Sequence, residues 1–252
     1  MNSTKNQNPW LVLPRPNPQA KLRLFCFAYS GGGASIFRQW YQQLNPQVEI
    51  YGVQLPGRET RLMETPFNRL TPLINALVQA ILPSLNQPFA FFGHSLGGLV
   101  CFELARYLRL VYRLNPLHLF VSGASAPHVR DTDPPIHNLP QLEFIEELRR
   151  LNGTPEEVLA SPELLELILP TLRADFAVSE TYTYTKSAPL SCSITAFGGE
   201  EDTEVSQEKL AAWQELTTGE FSMEILPGNH FFIHSHRQEL LSLLSKYMAG
   251  YI

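Results

Sequence analysis

The chain has 252 residues, 44% of them hydrophobic and 17% charged, with a net charge of −5, which supplies enough apolar material for one large core. The mildly acidic balance, with no basic cluster and no basic amphipathic helix, leaves no footprint for nucleic acid or a membrane surface, and no apolar run approaches the length that spans a bilayer. Cys26, Cys101 and Cys192 are odd in number and each set in apolar sequence, so they read as buried thiols rather than as a disulfide framework.

The first twenty residues carry Pro9, Pro14, Pro16 and Pro18 and lack the continuous apolar core of a signal peptide, so a cytoplasmic protein is expected. Beyond them, short apolar runs predict strands at 22–28, 48–53, 89–92, 117–121, 192–197 and 221–225. Helical patterns fall between or after them at 34–44, 71–82, 96–108, 206–216 and 237–248. This alternation predicts an α/β fold, a mostly parallel central sheet flanked by helices, with residues 1–252 forming one domain.

The rhythm breaks between about 126 and 189. That stretch holds His128, Asp131, Asp133, Pro134, Pro135 and His137, then helical segments without a strand. Leu142, Ile145 and Leu148 share one helical face, as do Leu164, Leu167 and Ile168, with Glu143, Glu146 and Glu147 on the opposite side. An inserted helical lid over the edge of a site is expected here, shaping access and excluding water.

Phe89 to Leu99 carries the chemistry. Four apolar residues run into Gly93-His94-Ser95-Leu96-Gly97, and a buried helical face of Leu99, Val100, Phe102, Leu104 and Ala105 follows. Strand, sharp turn and helix are the context that the nucleophile elbow of an α/β-hydrolase requires. The turn needs small residues two before and two after the serine, and Gly93 and Gly97 supply them. Ser95 Oγ is then exposed above the sheet, while the helix N-terminus aims N–H groups, that of Leu96 first, at a developing oxyanion.

A serine hydroxyl needs a base held in the right tautomer by an acid, and in this fold the order is serine, acid, histidine. His94 is too close to its own serine, while His118, His128 and His137 lie too early or in the insertion. His230, in a turn directly after a predicted strand, is the candidate base, with His234 as the main competitor and His236 as a surface residue. The acid should follow a strand between Ser95 and His230. Phe197-Gly198-Gly199-Glu200-Glu201-Asp202 provides a strand end and a carboxylate cluster, from which Asp202 is chosen over Glu200 and Glu201. Asp131, Asp133 and Asp175 sit in the insertion and follow no core strand.

The second oxyanion donor should come from the loop after an early strand, and Tyr29-Ser30-Gly31-Gly32-Gly33 is such a loop, with Ser30 N–H as the candidate. A phosphate-cradling role is excluded by spacing: G-x-G-x-x-G is not met and no P-loop lysine follows.

Five ordered blocks, Tyr29-Ser30-Gly31-Gly32-Gly33-Ala34, Leu55-Pro56-Gly57-Arg58-Glu59, Gly93-His94-Ser95-Leu96-Gly97-Gly98, Leu172-Arg173-Ala174-Asp175 and Pro227-Gly228-Asn229-His230-Phe231-Phe232, together resemble the type II thioesterases that accompany nonribosomal peptide and polyketide synthases. The resemblance runs from about residue 20 to the C-terminus. It implies a monomeric serine hydrolase of the α/β-hydrolase fold that cleaves acyl or aminoacyl thioesters from the phosphopantetheine arm of carrier proteins, clearing stalled synthase modules. Ser95, Asp202 and His230 match the family's triad, and Ser30 stands where alanine is more common. Ala28 replaces a common proline. The phosphopantetheine belongs to the substrate, so neither metal nor bound cofactor is expected. Two alternatives share these residues: a medium-chain acyl-carrier thioesterase or general esterase, and an inactive hydrolase-fold subunit that only binds. The Pro56-Gly57-Arg58-Glu59 block fits either an ion pair that holds a loop or a substrate contact.

Overall fold

Seven strands hydrogen-bond into one sheet in the order β1-β3-β2-β4-β5-β6-β7: β1 (Leu11–Val12), β2 (Leu22–Phe27), β3 (Val48–Val53), β4 (Phe89–His94), β5 (His118–Ser122), β6 (Ser193–Gly199) and β7 (Phe221–Leu226). The computed structural model describes residues 8–129 and 133–252. Every pairing is parallel except that of β1 with β3. Strands buried on both faces read as continuous apolar runs, which is why 89–92 carries no alternation. Phe25, Phe27 and Phe91 pack into a core with Leu73, Leu77, Val100 and Leu104 of the helices α1 (Leu70–Ile81) and α2 (Leu96–Tyr107). Their neighbours Leu24, Cys26, Ala90 and Phe92 face the other way, against Phe37, Trp40 and the C-terminal helix. This is the α/β-hydrolase architecture that the sequence pattern implies.

The six predicted strands are present within two residues of their expected ends. The short β1 was not expected, because the prolines around it read as loop; an antiparallel edge strand tolerates such neighbours. The expected helix over 34–44 is instead two 3-10 turns, Ala34–Phe37 and Trp40–Gln42. Phe37 and Trp40, three residues apart, meet edge to face and both pack on Phe92, so aromatic packing favours the tighter turn. The helix expected over 206–216 is α6 (Gln207–Ala211) continued by a 3-10 turn, in which the buried Trp213 Nε1 donates to Ala124 O at 2.7 Å.

Between β5 and β6 lie α3 (Gln141–Leu151), α4 (Glu156–Leu159) and α5 (Pro162–Glu180). Ser161 caps α5 by accepting from Leu164 N at 3.4 Å, with Pro162 in its first turn. These helices share a core of their own: Phe144, Ile145, Leu148, Leu159, Leu165, Leu169 and Leu172. The face expected for α3 holds at Ile145 and Leu148, which are buried, whereas the face expected for α5 is rotated. Leu142, Leu164 and Leu167 are exposed, and the leucine at nearly every turn position of α5 gave periodicity no means of choosing between two apolar faces. Asp131 lies outside the described residues.

The chain closes with α7 (Phe232–Ser235) and α8 (Arg237–Met248), which packs on the sheet through Leu240, Leu241, Leu244 and Met248. At its far end Tyr251 Oη meets His118 Nδ1 at 3.1 Å, while His118 Nε2 meets Thr195 Oγ1 at 2.8 Å. Burial lowers the His118 pKa from 6.5 to about 4. Because the unfolded chain binds this proton more readily than the folded one, stability is full above pH 6.5 and declines as pH falls toward about 4. His118→Asn loses the hydrogen bonds at pH 7, at a cost of about 1–3 kcal/mol. Its deficit against wild type should shrink between pH 7 and pH 4.5 in urea denaturation series, and a deficit that stays constant contradicts this assignment.

Candidate active site

The sheet order places β3 on one side of β2 and β4 on the other, and the crevice outside the C-terminal ends at such a reversal is where open α/β sheets hold ligands. The loops after β2 and β4 meet there. Ser95 joins β4 to α2 with φ 53° and ψ −119°, a strained conformation for any residue with a side chain. It is held in place by Ser95 N donating to Ser122 O at 2.8 Å and Gly98 N donating to Ser95 O at 2.9 Å. A Cβ at Gly93 would overlap the Gly97 carbonyl, and one at Gly97 would overlap the backbone of Phe27 and Ala28. The small residues flanking Ser95 are thus required by backbone packed on backbone.

His230 follows β7 and Asp202 follows β6, and the structure brings them together: His230 Nδ1 lies 2.8 Å from Asp202 Oδ2. The Asp202 side chain is 0% exposed. Its Oδ1 accepts from the N–H groups of Glu204 at 2.9 Å and Val205 at 3.1 Å, so the loop itself sustains the carboxylate. The competitors Glu200 and Glu201 are exposed. With a proton on Nδ1 donated to Asp202, His230 keeps Nε2 free to accept. Gly123, just beyond the Ser122 carbonyl that holds Ser95, sits against the His230 ring: a Cβ there would lie 3.2 Å from His230 Cε1. Among the described residues no hydrogen bond yet joins Ser95 Oγ to His230; such bonds are commonly long before substrate tightens them.

The remaining histidines have other partners. His234 Nε2 is bonded to Tyr29 Oη at 2.8 Å, and His236 Nδ1 to Ser235 Oγ at 3.0 Å. His137 pairs with Glu180 and His128 with Glu215. His94 is fully buried with Nδ1 against Ser122 Oγ at 2.9 Å, its ring centroid 5.2 Å from that of His230. Burial first, then the neighbouring His230, hold its pKa well below the usual value, so it stays neutral beside the His230 ring. Burial also pushes the Cys26 and Cys101 thiols well up and Cys192 to about 11, which leaves none of them a thiolate at neutral pH.

Ser30 lies on the loop after β2, and among the described residues its N–H has no acceptor. Leu96 opens α2, where first-turn N–H groups have no carbonyl one turn back. Both N–H groups are therefore available to an oxyanion. The Pro56-Gly57-Arg58-Glu59 block is an ion-pair hub. Buried Arg58 forks onto Asp175, Nη1 to Oδ2 at 2.7 Å and Nη2 to Oδ1 at 2.9 Å. Glu59 accepts from Ser35 Oγ at 2.5 Å and Ser35 N at 3.2 Å. Asp175, set aside as an acid because it follows no core strand, is buried beside the glycine loop, and its place in the Leu172-Arg173-Ala174-Asp175 block was the sequence signal for it, though not for its pairing with Arg58.

Among the described residues no three His, Cys, Asp or Glu side chains converge to hold a metal ion, and no helix is long and apolar enough to cross a membrane. A cavity of about 410 Å³ lies between α1, α2 and the segment after α5, lined by Ile74, Glu103, Arg106 and Tyr182, and Ser95, Asp202 and His230 take no part in it.

Residues 22–248 match the model of the thioesterase domain family. The chain is 46% identical to the linear gramicidin dehydrogenase LgrE of Brevibacillus parabrevis, covering 96% of this chain and 95% of that one. It is also 46% identical to the gramicidin S biosynthesis protein GrsT of Aneurinibacillus migulanus, covering 95% and 93%. Among solved structures it resembles the type II thioesterase BorB from the borrelidin biosynthetic cluster, with 34% identity, coverage of 95% and 97%, and a TM-score of 0.86.

The strain at position 95 is measurable apart from activity. Ser95→Gly should be more stable than Ser95→Ala by about 1 kcal/mol, since glycine alone adopts that backbone without cost. Thermal unfolding of the two variants side by side checks this, and equal midpoints or a more stable alanine variant would contradict the strain.

Proposed function

This chain belongs to the thioesterase domain family and is a thioester hydrolase, and from that premise we propose that Ser95, His230 and Asp202 are its nucleophile, base and orienting acid. The observation that carries the assignment is the His230–Asp202 bond at 2.8 Å, formed between loops at the sheet's C-terminal edge beside the strained Ser95. Ser95 Oγ attacks the thioester carbonyl while His230 Nε2 takes its proton. The oxyanion of the tetrahedral intermediate is received by the N–H groups of Leu96 and Ser30. Collapse breaks the C–S bond, and His230 returns the proton to the departing sulfur, leaving acyl-Ser95 and a free thiol. Water then attacks the ester, gives its proton to His230, and a second collapse releases the acid and restores the hydroxyl.

The substrates we infer are acyl or aminoacyl groups on the phosphopantetheine arm of carrier proteins, cleared from nonribosomal peptide or polyketide assembly lines. The names of GrsT and BorB, which refer to gramicidin S biosynthesis and the borrelidin cluster, support this class. Nothing in this chain matches the dehydrogenase in the name of LgrE: the glycine loop after β2 lacks G-x-G-x-x-G spacing, and the family is that of the thioesterases. A second reading, a medium-chain acyl thioesterase, is favoured by a rat S-acyl fatty acid synthase thioesterase, medium chain, that is 37% identical over 92% of this chain. Helices α3 to α5 form a lid within one hydrolase domain, a role supported by their separate core and by Leu172 resting against Gly31. The enzyme works as a cytoplasmic monomer, its three cysteines buried as free thiols.

Ser95→Ala should lower turnover by about a thousandfold or more without loss of fold, and only the wild type should be labelled by a fluorophosphonate. Carrier proteins loaded with acetyl, longer acyl or aminoacyl groups should be hydrolysed faster than matched soluble esters. Wild-type turnover by the alanine variant overturns the nucleophile, and faster turnover of soluble esters overturns the substrate class.

A further inference from the structure

We propose that Asp175 and Arg58 are positioning residues for the oxyanion hole: a carboxylate on the lid helix α5, neutralised by a buried guanidinium, fixes the glycine loop so that Ser30 N–H faces the substrate carbonyl. The inference rests on Ser30 as a donor in the reaction proposed above.

The loop after β2 is closed on itself by one backbone bond, Gly32 N donating to Tyr29 O at 2.9 Å, and its remaining polar anchors near Gly31 come from outside it. Gly31 takes φ 78° within that turn, a conformation glycine adopts without cost, and its own N–H points out of the turn and needs an acceptor from elsewhere. Asp175 Oδ2 is that acceptor, receiving from Gly31 N at 2.7 Å, one residue beyond the N–H that must aim at the oxyanion. The same oxygen accepts from Arg58 Nη1 at 2.7 Å, and that nitrogen also donates to Gly32 O at 3.3 Å. Two consecutive loop residues are thus gripped by the two halves of one ion pair. The pair is itself anchored from below, because Arg58 Nε and Nη2 both donate to Pro56 O at 3.2 Å.

Burial makes the arrangement costly to dismantle. The side chains are 6% and 3% exposed, so removing either leaves an uncompensated charge rather than a solvated one. Two further contacts join the same turn of α5 to the same loops: Thr171 Oγ1 donates to Gly57 O at 2.5 Å, and Leu172 packs on Gly31. Leu172 shapes the loop but makes no hydrogen bond to it. Asp175 and Arg58 add to the turn's own Gly32–Tyr29 bond the directional contacts that come from outside the loop, and neither residue lies on the elbow.

A purely structural ion pair would affect stability and ground-state binding together. An ion pair that aims an N–H affects the step in which the oxyanion forms. Asp175→Asn keeps shape and volume but removes the charge, and Arg58→Lys keeps the charge but loses the fork. For each, kcat and KM on one acyl-loaded carrier protein, and inhibition by a trifluoromethyl ketone and by a non-hydrolysable thioether of the same acyl chain, are measured below the variant's unfolding range. Only the ketone forms a tetrahedral oxyanion at the serine. For Asp175→Asn we expect kcat to fall by about 10- to 100-fold with KM within twofold, since misplacement by about 1 Å can cost that much. Ketone affinity should fall in parallel and thioether affinity should not. Arg58→Lys should show the same pattern more weakly, and it carries the test alone if Asp175→Asn does not fold. A kcat within twofold of wild type, or equal losses for ketone and thioether, overturns the inference. Ser95→Ala run alongside keeps the two claims apart: if that variant turns over normally, it is the underlying reaction that fails.

Discussion

A serine held at φ 53° and ψ −119° persists only where the surroundings over-determine it, and the architecture of the sheet's C-terminal edge follows from that constraint. The parallel strands β4 and β5 deliver the Ser122 carbonyl to the Ser95 N–H, and α2 takes back the Ser95 carbonyl through Gly98. The bulk normally carried by side chains has to vanish at Gly93 and Gly97, where backbone packs on backbone. Strain of this kind costs about 1–3 kcal/mol, and the phenylalanine-rich core on both faces of β4 readily absorbs it.

The same edge carries a second constraint of a different kind. Arg58 and Asp175 are separated by more than a hundred residues, yet both are nearly water-free and their four terminal atoms meet in a bidentate fork. An ion pair so placed is weak evidence for stability, because desolvation consumes most of the Coulombic gain. Its value lies in direction. It ties α5, which lies between β5 and β6, to the loop after β2 through the Gly31 N–H and the Gly32 carbonyl. Whatever motion the outer helices undergo, the turn of α5 from Thr171 to Asp175 is bonded to the core through Gly31 and Gly57.

Most of the fold was legible because the signals were local. Phe89 to Phe92 is an uninterrupted apolar run, Leu117 to Val121 is apolar but for His118, and 192–197 and 221–225 are apolar at alternate positions, so the strands could be placed in order, and with them the turns that carry Ser95, Asp202 and His230. What escaped was decided by tertiary contacts. Phe37 and Trp40 draw the chain after β2 into 3-10 turns by packing on Phe92, a residue more than fifty positions away in sequence. The face of α5 could not be read from a segment rich in leucine, since Leu164 and Leu165 are equally apolar and only packing against α3 separates them. The pairing of Asp175 was not legible for the same reason: its partners Arg58 and Gly31 come from another part of the chain, and a carboxylate in a helical pattern ordinarily faces water.

The most direct measurement is of the covalent species itself. A His230→Ala or Asp202→Asn enzyme, slowed in both acylation and deacylation, is incubated with an acyl-loaded carrier protein and sampled over a time course, quenched in acid, digested, and its peptides weighed. The acyl mass should appear on the peptide that contains Ser95 and be absent when Ser95→Ala is combined with either change. An acyl mass on any other residue, or turnover of the wild type with no acyl-enzyme at any quench time, would contradict a serine nucleophile at the strand-to-helix turn.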